Sequence, residues 1–247
     1  MTPKKQVISL DISLISYKDA LTHITELAGT KSPSYASFAN AHMTVEAHLS
    51  SAYAKKVNQS TFTFADGMPL VFALRLLFGI RQERIAGMDF MLDMLRECEA
   101  NRLSVFFFGS TQEVLDSIKK YVLTHFPQLQ IAGMISPPFR AIGEEENQQF
   151  RNEINSSGAN LVFVGLGCPK QETWMAKNSA EINSCLLGVG GAFEIYAGLT
   201  KRAPQWIRNI GMEWFFRFLQ EPKRLFKRYA VTNTQFVYLF FKQLFSR

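Results

Sequence analysis

The chain is 247 residues long, 47% hydrophobic and 19% charged, which supplies ample apolar material for a core and excludes a disordered chain. Its formal charge of +6 is one patch: residues 201–247 hold ten Lys or Arg against two Glu, whereas residues 1–200 sum to −2. Three cysteines without C-x-x-C spacing exclude a complete disulfide framework, and the longest apolar run, six residues over 236–241, falls far below the roughly 20 that span a bilayer as a helix.

The first residues carry two lysines, but Asp11 interrupts the apolar stretch that follows, so a secretion signal is not expected and a reducing cytosol is. Residues 7–10 read as a short strand and 17–28 as a helix closed by Gly29. From Tyr35 onward, short apolar runs alternate with longer amphipathic stretches. This predicts strands over 35–39, 61–65, 105–108, 130–135, 161–165 and 185–189. The intervening helices fall over 43–57, 69–78 with proline in the first turn, 89–102, 112–126, 144–155 and 171–179. After Gly190-Gly191 the rhythm stops, and Pro204, Gly211 and Pro222 punctuate what reads as several short helices. The fold class is therefore α/β: a Rossmann-like, mostly parallel sheet covered by helices as a core domain (1–200), and a helical, basic C-terminal appendage (201–247).

In such a sheet, ligands bind beyond the carboxyl ends of the strands, where glycine turns and helix N-termini offer free N–H groups to anions. Asp66, in Ala65-Asp66-Gly67, follows a strand and suits either a general base or a residue that caps the next helix or shapes the turn. Asn40 holds the equivalent place on a neighbouring unit, as a second crevice residue or a cap. Around Gly87, Arg84 is open to a salt bridge or a phosphate, and Asp89 reads as a helix N-cap. Gly165 and Gly167 permit close backbone approach, with Lys170 and Gln171 near the following helix start, which suits a nucleotide. The glycine spacing completes neither a P-loop nor a dinucleotide fingerprint. Gly190 and Gly191 end the next strand in a similar turn.

No D-x-D is present and the four histidines lack zinc spacing, so no metal site is expected. Glu144-Glu145-Glu146 reads as an acidic first turn of a helix. Leaving-group charge would then fall to Arg, Lys and backbone N–H groups. The appendage interleaves Arg202, Arg208, Arg217, Lys223, Arg224, Lys227 and Arg228 with twelve aromatic side chains. Such a segment fits an anionic lipid surface, at about 1 kcal/mol per basic residue. Packing of the aromatics on the core with solvated charges is the plainer alternative. A nicotinamide-dependent oxidoreductase and a non-catalytic membrane or nucleic-acid binder are the rival functional classes.

Taken together, FANAHM (38–43), ADGMPLV (65–71), RIAGMDF (84–90), GLGCPKQETW (165–174) and GVGGAFEIYAGLTKRAPQW (188–206) strongly resemble the bacterial WecB/TagA/CpsF glycosyltransferase family. The resemblance runs from about Val7 to Tyr229. It implies an inverting transfer of a sugar from a UDP-sugar, typically UDP-N-acetylmannosamine or its uronic acid, to an undecaprenyl-diphosphate-linked saccharide, with neither metal nor cofactor. On that resemblance Asp66 matches the catalytic base and Asn40 and Gln171 match donor-pocket positions. Arg217, Arg224 and Lys227 match basic positions thought to close the site at the membrane and bind diphosphate. The implied partners are the UDP-sugar, the lipid-linked acceptor and an anionic membrane surface on the cytoplasmic face, not nucleic acid; a homo-oligomer is left open. The chain departs from the family at Phe38, where a threonine is common, and at Lys223, which keeps a charge but lacks arginine's bidentate fork.

Overall fold

A computed structural model describes residues 2–209 and 212–246, apart from the side chains at 209, 217, 224, 225 and 227–229. In chain order the elements are β1 (Lys4–Val7), β2 (Leu10–Ser13), α1 (Tyr17–Gly29), β3 (Ser34–Ala39), α2 (Ala41–Leu49), α3 (Ser51–Asn58), β4 (Phe62–Ala65), α4 (Met68–Phe78), α5 (Gly87–Ala100) and β5 (Val105–Gly109). They continue with α6 (Gln112–His125), β6 (Ile131–Ile135), α7 (Glu144–Ser157), β7 (Leu161–Gly165), α8 (Lys170–Asn178), β8 (Cys185–Gly188), α9 (Ala192–Tyr196), α10 (Gln205–Asn209), α11 (Glu213–Gln220) and α12 (Pro222–Phe245).

Six strands form one sheet in the order β4-β3-β8-β7-β5-β6, with every neighbouring pair parallel. The fold is thus Rossmann-like α/β, as the βα rhythm predicts. Its central strands are apolar at successive positions because both faces are covered. Val105, Phe107, Leu161, Phe163 and Leu187 pack under α1, α5, α6 and α9. The alternating set Phe106, Phe108, Val162, Val164 and Leu186 faces Ile154 of α7 and Trp174 and Met175 of α8. A third apolar cluster joins Val7, Leu10 and Ile12 to α2, α3 and α4 and to Phe236 and Phe240 of α12.

Four details differ from the sequence expectation. The segment read as a strand over 7–10 is an antiparallel hairpin, β1 with β2, whose turn places Ile8 at φ 58. The helix expected over 43–57 breaks at Ser50, whose extended backbone and side chain cap α3 through the Tyr53 N–H. A five-residue helix, α9, follows the Gly190-Gly191 turn. The C-terminal segment contains short α10 and α11, but α12 runs 24 residues, since neither Gly nor Pro interrupts 223–246. It lies on α2, burying Phe236, Leu239 and Phe240. Gln243 fastens its end to the hairpin, accepting from the Ile8 N–H at 2.7 Å and donating to the Gln6 carbonyl at 3.0 Å. The acidic turn at 144–146 opens α7 as expected, with Glu146 accepting from the Gly143 N–H and from both terminal nitrogens of Arg140.

Candidate active site

The carboxyl ends of β3, β4 and β8 open into a crevice of about 840 Å³, overhung by residues of α4, α11 and α12. Asn40 ends β3 and caps α2, its Oδ1 accepting from the Met43 N–H at 3.1 Å, which leaves Nδ2 as the group it can offer a ligand. Asp66 ends β4 on the adjacent strand. The N–H groups of Asp66 and Gly67 both donate to the Ala39 carbonyl, at 2.9 and 3.3 Å, so the two turns are tied together and Asn40 and Asp66 line the same crevice. Asp66 does not cap the next helix: α4 has Gly67 at its N-cap, with no side-chain bond and Pro69 in its first turn. Asp66 is thus a crevice-lining carboxylate in the turn between β4 and α4.

Gly167, Gln171, Gly190 and Gly191 also line the crevice. Gly165 and Lys170 do not. Gly165 is small because Phe193 packs on it, 2.6 Å from where a Cβ would lie, so its task is packing rather than ligand approach. Lys170 is exposed at the start of α8. Successive helical residues point about 100° apart, so Gln171 facing the crevice turns Lys170 away. Gln171 is buried and its Nε2 donates to Glu172 Oε1 at 2.7 Å and to the Gly188 carbonyl at 2.9 Å. Glu172 is fully buried behind it and accepts from the Tyr53 hydroxyl at 3.0 Å. Burial pushes the Glu172 carboxyl above its ordinary range, partly offset by the groups that donate to it. Burial likewise pushes the Cys98 and Cys185 thiols up to about 12, which leaves both unreactive.

Arg84 lines the crevice and is ion-paired at its edge. Its guanidinium lies 3.2 Å from Glu213 of α11 and 3.7 Å from Asp89. Asp89 is not the N-cap of α5, which begins at Gly87 after Ala86, but sits in its first turn. There it receives Arg208 at 3.0 Å and Arg202, as well as Arg84. Three arginines and Glu213 thus join the first turn of α5 to the start of the C-terminal segment. Asp89 is a structural anchor beside the crevice rather than one of its lining residues.

The far wall is apolar. Phe72 and Leu76 of α4, Trp214 of α11, and Val237 and Phe241 of α12 line it and are exposed. Sequence reasoning missed Phe72 and Leu76, although a signal existed: from Leu70 to Phe78 only Arg75 is polar, and a surface helix apolar all round has something other than water to meet. His42 and Glu194 line the crevice and were also missed. The side chains of Arg217, Arg224 and Lys227 lie outside the described residues. Among the described residues no group of three His, Cys, Asp or Glu is placed to hold a metal ion, and no helix is long and apolar enough to cross a membrane.

Similarity to known proteins points the same way. The family model described as "Glycosyl transferase WecG/TagA/CpsF family" matches residues 5–247. N-acetylglucosaminyldiphosphoundecaprenol N-acetyl-beta-D-mannosaminyltransferase of Staphylococcus aureus strain MW2 is 30% identical over 200 residues, covering 79% of this chain and 72% of the relative. The proteins of the same description from strains NCTC 8325 / PS 47 and COL show the same identity and coverage.

Proposed function

The chain belongs to the WecG/TagA/CpsF glycosyltransferase family, and from that membership and the crevice we propose the reaction it performs: transfer of a hexose or N-acetylhexosamine, ManNAc-like, from a UDP-sugar to an undecaprenyl-diphosphate-linked saccharide, in bacterial cell-surface polysaccharide assembly. The carrying observation is the two-sided crevice. Asp66, Asn40, Gln171 and the Gly190-Gly191 turn line one side, where a nucleotide sugar would sit. Exposed Phe72, Leu76, Val237 and Phe241 line the other, where a prenyl chain would enter from a bilayer. The staphylococcal relatives are named for N-acetylmannosaminyl transfer to N-acetylglucosaminyl-diphosphoundecaprenol, a lipid-linked saccharide of the kind the apolar side would admit.

In this reading Asp66 takes the proton of the acceptor hydroxyl as its oxygen attacks the anomeric carbon, while the bond to UDP breaks and its electron pair leaves with the diphosphate. A single displacement of this kind inverts the anomeric centre. The charge on departing UDP is met without a metal, by the backbone N–H of Gly191, by Arg84, and by the basic side chains of 201–247, Arg217, Arg224 and Lys227 among them. The same basic residues attract the protein to the anionic cytoplasmic leaflet as a peripheral protein, with the apolar wall seated toward the lipid. Asp66→Asn tests the assignment. Turnover should fall by about 10² to 10⁴-fold, the usual worth of a general base, while thermal stability and UDP affinity hold. A variant with near-normal turnover removes Asp66 from the role.

A further inference from the structure

Gln171 projects from the first turn of α8 into the floor of the crevice and is 5% exposed. A side-chain amide donates two hydrogen bonds and accepts at its oxygen. Both donors of Gln171 are committed, to Glu172 Oε1 at 2.7 Å and to the Gly188 carbonyl at 2.9 Å. Its Oε1 is buried and has no hydrogen-bond partner among the described residues. That oxygen lies against the Gly190 turn, where a Cβ would stand 3.1 Å away, so a side chain at 190 would press on it from the crevice side. Turning the amide over would set Oε1 against the Gly188 carbonyl oxygen, acceptor against acceptor, and strand Nε2 at the turn. The amide therefore has one orientation. Glu172 dictates it together with Gly188, and Glu172 is itself held by Tyr53, whose hydroxyl also lies 3.3 Å from Cys168 Sγ. A buried acceptor left without a donor costs its full desolvation, so a ligand that supplies the donor is selected over one that does not.

We propose that Gln171 Oε1 requires a hydrogen-bond donor on the nucleotide sugar, and that Glu172, which touches no substrate, is the positioning residue that fixes the amide to present this oxygen. The donor is an imide N–H of the base or a hydroxyl of the ribose or transferred sugar. The inference rests on the UDP-sugar reading of the crevice and adds the polarity of one contact. It also gives a reason for a buried glutamate at this place: a carboxyl accepts from Nε2, and an apolar residue of the same size cannot.

Calorimetric titration of the full chain tests it, with UDP, its N3-methyl, 2′-deoxy and 3′-deoxy analogues, and UDP-sugars lacking one hydroxyl of the transferred sugar. The wild type should bind one of these at least about tenfold more weakly than its parent, and which one identifies the donor group. Gln171→Met and Glu172→Met should reduce that discrimination to below about threefold. Glu172→Gln keeps a carbonyl that accepts from Gln171 Nε2, so it should preserve the discrimination, a rescue that a purely space-filling role would not show. If Glu172→Met does not fold, Gln171→Met and Glu172→Gln carry the comparison. Equal binding of every analogue by the wild type, discrimination that survives Gln171→Met, or loss of discrimination in Glu172→Gln overturns the inference alone. Absence of UDP and UDP-sugar binding by the wild type overturns the donor-pocket reading and the inference with it.

Discussion

Replacing Asp89 by alanine should loosen the start of the C-terminal segment. Asp89 accepts Arg202 and Arg208, the latter at 3.0 Å, and stands 3.7 Å from Arg84. The side chains are 17–31% exposed, so solvent screens them only in part. Hydrogen bonds between charged groups contribute about 1.5–3 kcal/mol each, and removing one partner leaves the others facing one another. Abolishing the Arg202 and Arg208 pairs and the longer Arg84 pair, with a discount for partial exposure, costs about 3 kcal/mol. That corresponds to about 150-fold in an opening equilibrium. Amide exchange reads it at Ile207, Arg208 and Met212, whose N–H groups are bonded to Pro204 and Ile207 carbonyls. Their protection should fall by about two orders of magnitude, and if the opening is global the melting temperature should drop by about 6–12 °C. Arg96→Ala is the control, because Arg96 is 60% exposed and its pair with Asp93 is worth under about 0.5 kcal/mol. Exchange within threefold of wild type at the three amides, with a melt matching Arg96→Ala, would refute the anchoring role.

Burial raises the Glu172 carboxyl, so the native state binds its proton more tightly than the unfolded chain does. The stability this contributes is present below the ordinary carboxylate range and is lost as pH rises through the raised native value. Melting temperature from about pH 4 to 8 should therefore decline more steeply in wild type than in Glu172→Gln; parallel curves would contradict it. Serine at both Phe72 and Leu76 should weaken partition onto anionic vesicles by roughly 30-fold, from about 1 kcal/mol per half-exposed side chain, with little change in melting because both already face outward. Undiminished vesicle binding would remove the α4 wall from membrane contact.

The parallel sheet was legible because strands covered on both faces are apolar at every position, and runs such as Val105–Gly109 and Leu161–Gly165 stand out from their surroundings. The hairpin turn was not: Ile8 at φ 58 is a conformation that a β-branched residue's propensity argues against. Asn40 and Asp66 were readable as a pair because adjacent parallel strands bring the residues that follow them together. Asp89 was misread because its arginine partners lie 113 and 119 residues further along, beyond any local spacing rule. Glu172 escaped notice since a glutamate is almost never fully buried unless paired, and its partner Tyr53 comes from a different helix. Lys170 was drawn in by adjacency to Gln171, although a helix turns about 100° per residue and carries Lys170 out to solvent.

The central claim is that the Asp66 crevice joins a nucleotide sugar to a lipid-linked saccharide. The purified full chain, incubated with a panel of UDP-sugars and an N-acetylglucosaminyl-diphosphate-prenol acceptor, tests it by the mass of the lipid product. The account predicts a product heavier by one hexose or N-acetylhexosamine residue, formed with one UDP-sugar in clear preference and missing when Asp66 is asparagine. An unchanged acceptor with every donor, or equal product from Asp66→Asn, would contradict it.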